Sequence, residues 1–240
     1  MAQGDSALKK MKPLARETMI PAAEMNKCHI EHRRRRLMAR GPNEEPDLDL
    51  TEELLFAGQN LQLERFDRAE TVAGRTPDFR VRRDGALVAY CEVKSPRDDF
   101  LEEQLDRAEQ GRIVGGVRSD PTFNRIARHV LKAATQFEAV NVERLVPNIL
   151  VFVNHADANG IADLQETLTG MFHTADGERI PTMTNVSEGR LGETRFKIDL
   201  YVWIDNKTRR VQGYLFSEAI TAHVETLCVL LGLDQSQISR

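Results

Sequence analysis

Two carboxylates and an amine stand in this chain at spacings that would let them serve one metal ion. Asp78 lies in Pro77-Asp78-Phe79, and Glu92 and Lys94 close the run Leu87-Val88-Ala89-Tyr90-Cys91-Glu92-Val93-Lys94, whose β-branched and apolar residues predict a strand. Glu92 and Lys94 are two apart, so on a strand their side chains leave the same face. Hard carboxylate oxygens suit Mg²⁺, with Mn²⁺ able to substitute, and a bound divalent ion lowers the pKa of its water. A lysine alongside can orient that water or offset negative charge gathering at a phosphate. The chemistry open to such a set is metal-assisted hydrolysis of phosphodiesters.

Whether Asp78 shares that face depends on register. In the first strand Pro77, Phe79 and Val81 are apolar, while Asp78, Arg80 and Arg82 are polar. In the second, Leu87, Ala89, Cys91 and Val93 form an apolar face, and Glu92 and Lys94 lie on the other. If both odd faces enter one core, even residues pair with even residues, which requires an odd number of loop residues. The pattern therefore predicts a three-residue loop, Arg83-Asp84-Gly85, with Gly85 in the left-handed region. A two-residue Asp-Gly turn would set Asp78 opposite Cys91 and bury an unpaired carboxylate, at a cost that disfavours it.

Pro77-Asp78, thirteen intervening residues and Glu92-Val93-Lys94 together resemble the PD-(D/E)XK nuclease superfamily, which has the restriction-endonuclease-like fold. The resemblance runs roughly from Leu48 to Val153, with an acidic helix before the hairpin and a helix and strand after it. It implies that Asp78 and Glu92 hold the metal with help from the carbonyl of Val93, and that Lys94 positions or activates water. It also implies a carboxylate from the first helix. Glu53 is preferred, with Glu52 as the alternative, because Asp49 and Glu52 resemble a capping box that would tie Glu52 to the helix start. Gln136, before Phe137, looks like the glutamine that several members carry on the helix after the Glu-x-Lys strand. The implied activity is a Mg²⁺-dependent deoxyribonuclease, an endonuclease working in restriction, defence or repair.

Blander readings stand beside this one. A Glu-x-Lys strand end is also what a solvated edge with a surface ion pair looks like. A fold does not guarantee a function, so a catalytically silent nucleic-acid-binding or assembly module is the runner-up, and an RNA-directed nuclease is a third reading. The net charge of −4 argues against a general nucleic-acid binder. Local positive charge is nevertheless present: Arg33, Arg34, Arg35 and Arg36 form a run, and Arg125, Arg128 and Lys132 form a strip with His129 and Gln136 at helical spacing. Each cluster could grip DNA phosphates or simply be a solvated face.

At 240 residues and 41% hydrophobic, the chain can bury a sizeable core. No apolar run approaches the roughly 18 residues of a membrane helix, and no leader is read at the start, so a cytoplasmic protein without a membrane partner is expected. Cys28, Cys91 and Cys228 are too few and too scattered for a disulfide framework, and Cys91 reads as a small core residue. Residues 1–46, with four prolines, read as a basic helical arm, and 47–240 as the nuclease-like domain. Arg97 to Ser119 reads as a mobile loop, and Asp120-Pro121 as the start of a long helix through Phe137. Asn148 to Val153 is nearly all apolar, as a central strand would be. His155 and Asp157 after it could be a metal pair or only a loop. A hairpin, Phe196 to Ile204 and Val211 to Phe216, and a final helix capped by Ser217 complete the chain. The expected fold is α/β: a mixed sheet of about five or six strands flanked by helices. A homo-oligomer or a larger protein complex is compatible with all of this.

Overall fold

The computed structural model describes residues 44–72, 75–96, 122–156, 159–174, 176, 178–181, 191–217 and 221–234. Arg33 to Arg36, the stretch from Arg97 to Ser119, Asp120-Pro121 and Asp157 lie outside the described residues, as does the expected arm except for residues 44–46. In chain order the elements begin with α1 (Glu44–Thr51), a π-helical turn (Glu52–Phe56), β1 (Gln62–Arg65), α2 (Arg68–Val72), β2 (Phe79–Arg83) and β3 (Ala86–Lys94). They continue with α3 (Thr122–Val140), β4 (Asn148–Asn154), α4 (Ile161–Thr169), β5 (Met171–His173) and β6 (Arg179–Pro181). A 3₁₀ segment (Gly192–Lys197), β7 (Leu200–Asp205), β8 (Arg210–Phe216) and α5 (Thr221–Leu231) follow.

Six strands form one mixed sheet in the order β1-β2-β3-β4-β7-β8, and β5 pairs with β6 in a separate ribbon. β3, β4 and β7 run parallel, and the outer strands are antiparallel to their neighbours. The parallel centre explains why β4 is apolar almost throughout: every residue from Asn148 to Asn154 is buried. Period-two alternation then sorts the side chains into two cores. One face, with Phe79, Val81, Cys91 and Val151 at odd positions of β2, β3 and β4 and Val202 at an even position of β7, packs with Leu48, Leu55 and Phe56 from the first helical segment and with Leu227 and Leu230 of α5. The other face, with Tyr90, Leu150 and Phe152 at even positions of β3 and β4 and Trp203 at an odd position of β7, packs with Ile126, Val130 and Phe137 of α3 and Leu164 of α4. Each fully buried large side chain contributes about 1.5–3 kcal/mol, so burial on both faces fixes which residues point where.

The β2–β3 hairpin reaches the expected pairing by a different route. Its turn has two residues, Asp84 and Gly85, with φ of 52° and 80°, and Arg83 pairs directly with Ala86. Two consecutive left-handed residues match the strand twist, which favours this turn over the three-residue loop. Left alone it would set odd residues against even ones. A bulge corrects this: Arg82 pairs with Leu87 but Val81 with Ala89, so Val88 is the extra residue. Beyond it Phe79 faces Cys91, and both odd faces enter one core.

Other expectations also shift. The first helix starts at Glu44, not near Asp49, so Asp49 lies inside it and the proposed capping box does not form. β7 starts at Leu200, because residues 192–197 are taken up by the 3₁₀ segment. Ser217 Oγ is buried without a hydrogen-bond partner, so it makes no side-chain cap for α5 among the described residues. The apolar pattern does not show β1 or α4: β1 is short and polar, and α4 follows an N-cap Gly160, whose N–H donates to Asp163 Oδ2 at 2.8 Å.

Candidate active site

β3 carries Glu92 and Lys94 toward the face that α3 covers, and there they form an ion pair, Lys94 Nζ to Glu92 Oε1. The Glu92 side chain is 1% exposed and that of Lys94 11%, which rules out the solvated edge pair. Burying two charges costs several kcal/mol per ion, and a hydrophobic pair of the same size would stabilise the fold more. Glu92 Oε2 has no hydrogen-bond partner among the described residues although it is enclosed. A buried carboxylate oxygen left unbonded needs a reason, and a ligand is one.

Asp78 stands just before β2, one pair past Phe79 and Cys91, so it faces the position of Glu92. Beyond the last strand residue β2 offers no carbonyl to the next N–H of β3. Asp78 supplies one instead: its Oδ2 accepts the Val93 N–H at 2.7 Å. Burial raises the pKa of Asp78, and the Val93 N–H, Lys94, Lys132 and Arg65 pull it back. Burial first, and then the charge of Asp78, push the Cys91 thiol well up, in keeping with an inert core cysteine. Val93 is buried and paired with Val151 of β4.

α3 brings a positive field to this place. Lys132 acts on Asp78, and Lys94, Lys132, Arg128 and Arg125 all bear on His129. Burial first, then those cations, push the His129 imidazole down to about 4, so it is neutral at ordinary pH. The ring meets Phe152 edge-on with centroids 6.3 Å apart, placing His129 toward the core and not on a solvated strip. Gln136 also turns inward: its Nε2 donates to the carbonyl of Thr76 at 2.7 Å, which ties α3 to the segment leading into Asp78. Arg128 and Lys132 are exposed, and Arg125 is half-buried.

The helix carboxylates lie elsewhere than expected. Glu52 and Glu53 are both exposed, and Glu53 Oε2 pairs with Arg209 at 2.5 Å, each side chain more than half exposed. The π turn, closed by the Ala57 N–H on the Glu52 carbonyl at 3.0 Å, sends Leu55 and Phe56 inward and Glu52 and Glu53 outward. The inward carboxylate of α1 is Asp47, 1% exposed. It accepts from the Ser95 hydroxyl, directly after Lys94, and from His155 Nε2 at 2.9 and 3.1 Å. Asn206 Nδ2 lies 3.1 Å from His155 Nδ1 and donates to it, which leaves the proton on Nε2 facing Asp47. Both imidazole nitrogens are therefore engaged in locking the ends of β3 and β4 to α1, and His155 is not a metal ligand in this arrangement. Residue spacing carries no trace of this network, because its members come from four separate elements or loops.

Among the described residues no group of three or more His, Cys, Asp and Glu side chains is assembled to hold a metal. The Asp78 and Glu92 carboxylates and a backbone carbonyl remain, and Mg²⁺ typically takes one or two carboxylates and completes its shell with water and phosphate oxygens. The unbonded Glu92 Oε2 fits that role. Compared with protein-family models, curated proteins and solved structures, the chain matches none.

Proposed function

We propose that this protein is a Mg²⁺-dependent nuclease that hydrolyses DNA phosphodiester bonds, with the restriction-endonuclease-like arrangement its motif resembles. The observation that carries the reading is the enclosed, unbonded oxygen of Glu92 beside Lys94. Asp78 and Glu92 would hold the metal, which supplies an activated water and offsets charge at the phosphate. Asp78 is oriented by the Val93 N–H, so its second oxygen is available. Lys94 holds one oxygen of Glu92 and places its ammonium where negative charge accumulates. Asp47, Ser95 and His155 keep the end of β3 in place. The sheet order, with two antiparallel strands leading into parallel β3, β4 and β7, supports the reading.

The test is supercoiled and linear DNA incubated with Mg²⁺ or with EDTA, using wild type and Lys94→Gln. Lys94→Ala would leave Glu92 charged and unpaired, at an expected cost of about 3–5 kcal/mol, whereas glutamine keeps an amide that can donate to it. Cleavage should require Mg²⁺ and fall about 10²-fold or more in Lys94→Gln. Equal nicking by the variant, after contaminating nuclease is removed, would reject the site.

A further inference from the structure

A cleft of about 680 Å³ opens between α2, the segment before β2 and α3, lined by Thr71, Arg75, Thr76, Lys132, Thr135 and Gln136. We infer that this cleft is a nucleotide subsite, holding one nucleotide of a strand beside Asp78, Glu92 and Lys94. That the nucleotide belongs to a substrate strand rests on the nuclease reading; that the cleft takes a nucleotide does not.

Its volume lies within the roughly 300–1,000 Å³ of small-ligand sites. Among the described residues no carboxylate lines it, and neither Arg75 nor Lys132 has an acidic partner within ion-pair distance. Most arginines of the sheet differ: Arg65, Arg80 and Arg82 all pair with glutamates. Two cations on one cleft that no described carboxylate pairs with suit a phosphate. A bare anion would leave the other walls unused. Thr71 donates its hydroxyl proton to the Asp67 carbonyl at 2.7 Å and Thr135 to the Leu131 carbonyl at 3.0 Å, so both present acceptor lone pairs. Gln136 Oε1 is a third acceptor, enclosed and without a partner among the described residues, its Nε2 being held by Thr76. A ligand that matches these walls has an anionic end and N–H or O–H donors within the same small volume. A nucleoside monophosphate has that composition. Position agrees: Thr76 is two residues before Asp78, and the charge of Lys132 reaches Asp78.

The experiment titrates the full chain in EDTA with deoxyadenosine 5′-monophosphate, thymidine 5′-monophosphate or inorganic phosphate, read by calorimetry. The nucleotides should bind at least tenfold tighter than phosphate. An Arg75→Ala, Lys132→Ala double variant should lose about tenfold for every probe. A Thr71→Val, Thr135→Val variant should weaken nucleotide binding severalfold and leave phosphate unchanged. Arg209→Ala, a cation outside the cleft, should bind as wild type. All four substituted cleft side chains are exposed, so unchanged melting curves are expected. Phosphate bound as tightly as nucleotide, or double-variant binding equal to wild type, overturns the assignment. Because no metal is present, the two readings separate: nucleotide binding here without Mg²⁺-dependent cleavage keeps the subsite and rejects the nuclease, and cleavage without such binding does the reverse.

Discussion

At the scale of single residues, two half-buried titratable groups make the site sensitive to pH. Asp78 has a raised pKa because it is buried, so between its ordinary value and the raised one the folded state holds more protons than the unfolded state. Stability contributed by this group therefore falls as pH rises through that window. Asp78→Asn keeps an oxygen for the Val93 N–H and removes the charge, so in metal-free buffer at neutral pH its melting temperature should rise by a few degrees while cleavage is lost. Thermal melts of both proteins at acid and neutral pH check this; a lower neutral melting temperature contradicts the assigned burial. His129 works in the opposite sense. Its imidazole is depressed from 6.5 to about 4, so the unfolded chain takes up a proton first and stability falls as pH drops through that interval. His129→Gln should remove this part of the slope, visible as a flatter stability profile between about pH 4 and 6.5 in denaturant titrations. An unchanged profile would mean the ring is solvated.

Among the elements, the β2–β3 hairpin decides whether the site exists. Val88 is the extra residue that converts the pairing of a two-residue turn into one that sets Asp78 toward Glu92. Deleting Val88 leaves the Asp84-Gly85 turn intact but shifts β2 by one residue against β3. Either Phe79 and Val81 leave the core or Asp78 enters it, and both outcomes cost several kcal/mol. The deletion is expected to be unstable or to fold without metal-dependent activity, measured by denaturant melts and the plasmid assay. A well-folded, active deletion variant would show that the bulge has no part in placing Asp78. The π turn matters in the same way: it sends Glu52 and Glu53 to the surface and leaves Asp47 as the α1 carboxylate that reaches the end of β3.

For the whole molecule, the question is how a chain of net charge −4 would hold a polyanion. The answer lies in local field. Arg125, Arg128 and Lys132 gather on α3, and their charges reach His129, with Lys132 acting on Asp78 as well. Neutralising the three should weaken duplex DNA binding and reduce the slope of log K against log salt by about 0.9 for each phosphate they had neutralised. Binding titrations at several salt concentrations measure it directly; identical slopes would make α3 an ordinary solvated face. No helix among the described residues is long and apolar enough to cross a membrane.

The pattern of apolar residues alone determined that Glu92 and Lys94 share a face, that Asp78 joins them if both odd faces are buried, that Asn148 to Val153 is a central strand and that the sheet is a mixed α/β one. Those properties depend on neighbours two or four residues away, which is the range over which side-chain direction is set by the backbone. The tertiary structure alone decided the rest. It chose the two-residue turn and repaired its register with Val88, because strand twist and core burial act together. It enclosed Glu92 and Lys94, whose spacing would also suit a surface pair, because α3 covers their face. It turned Asp47 inward and Glu53 outward, and brought Ser95 and His155 to Asp47, and Asn206 to His155, from distant parts of the chain. Burial and pairing between elements depend on which surfaces dock, and no spacing within a single strand or helix records that.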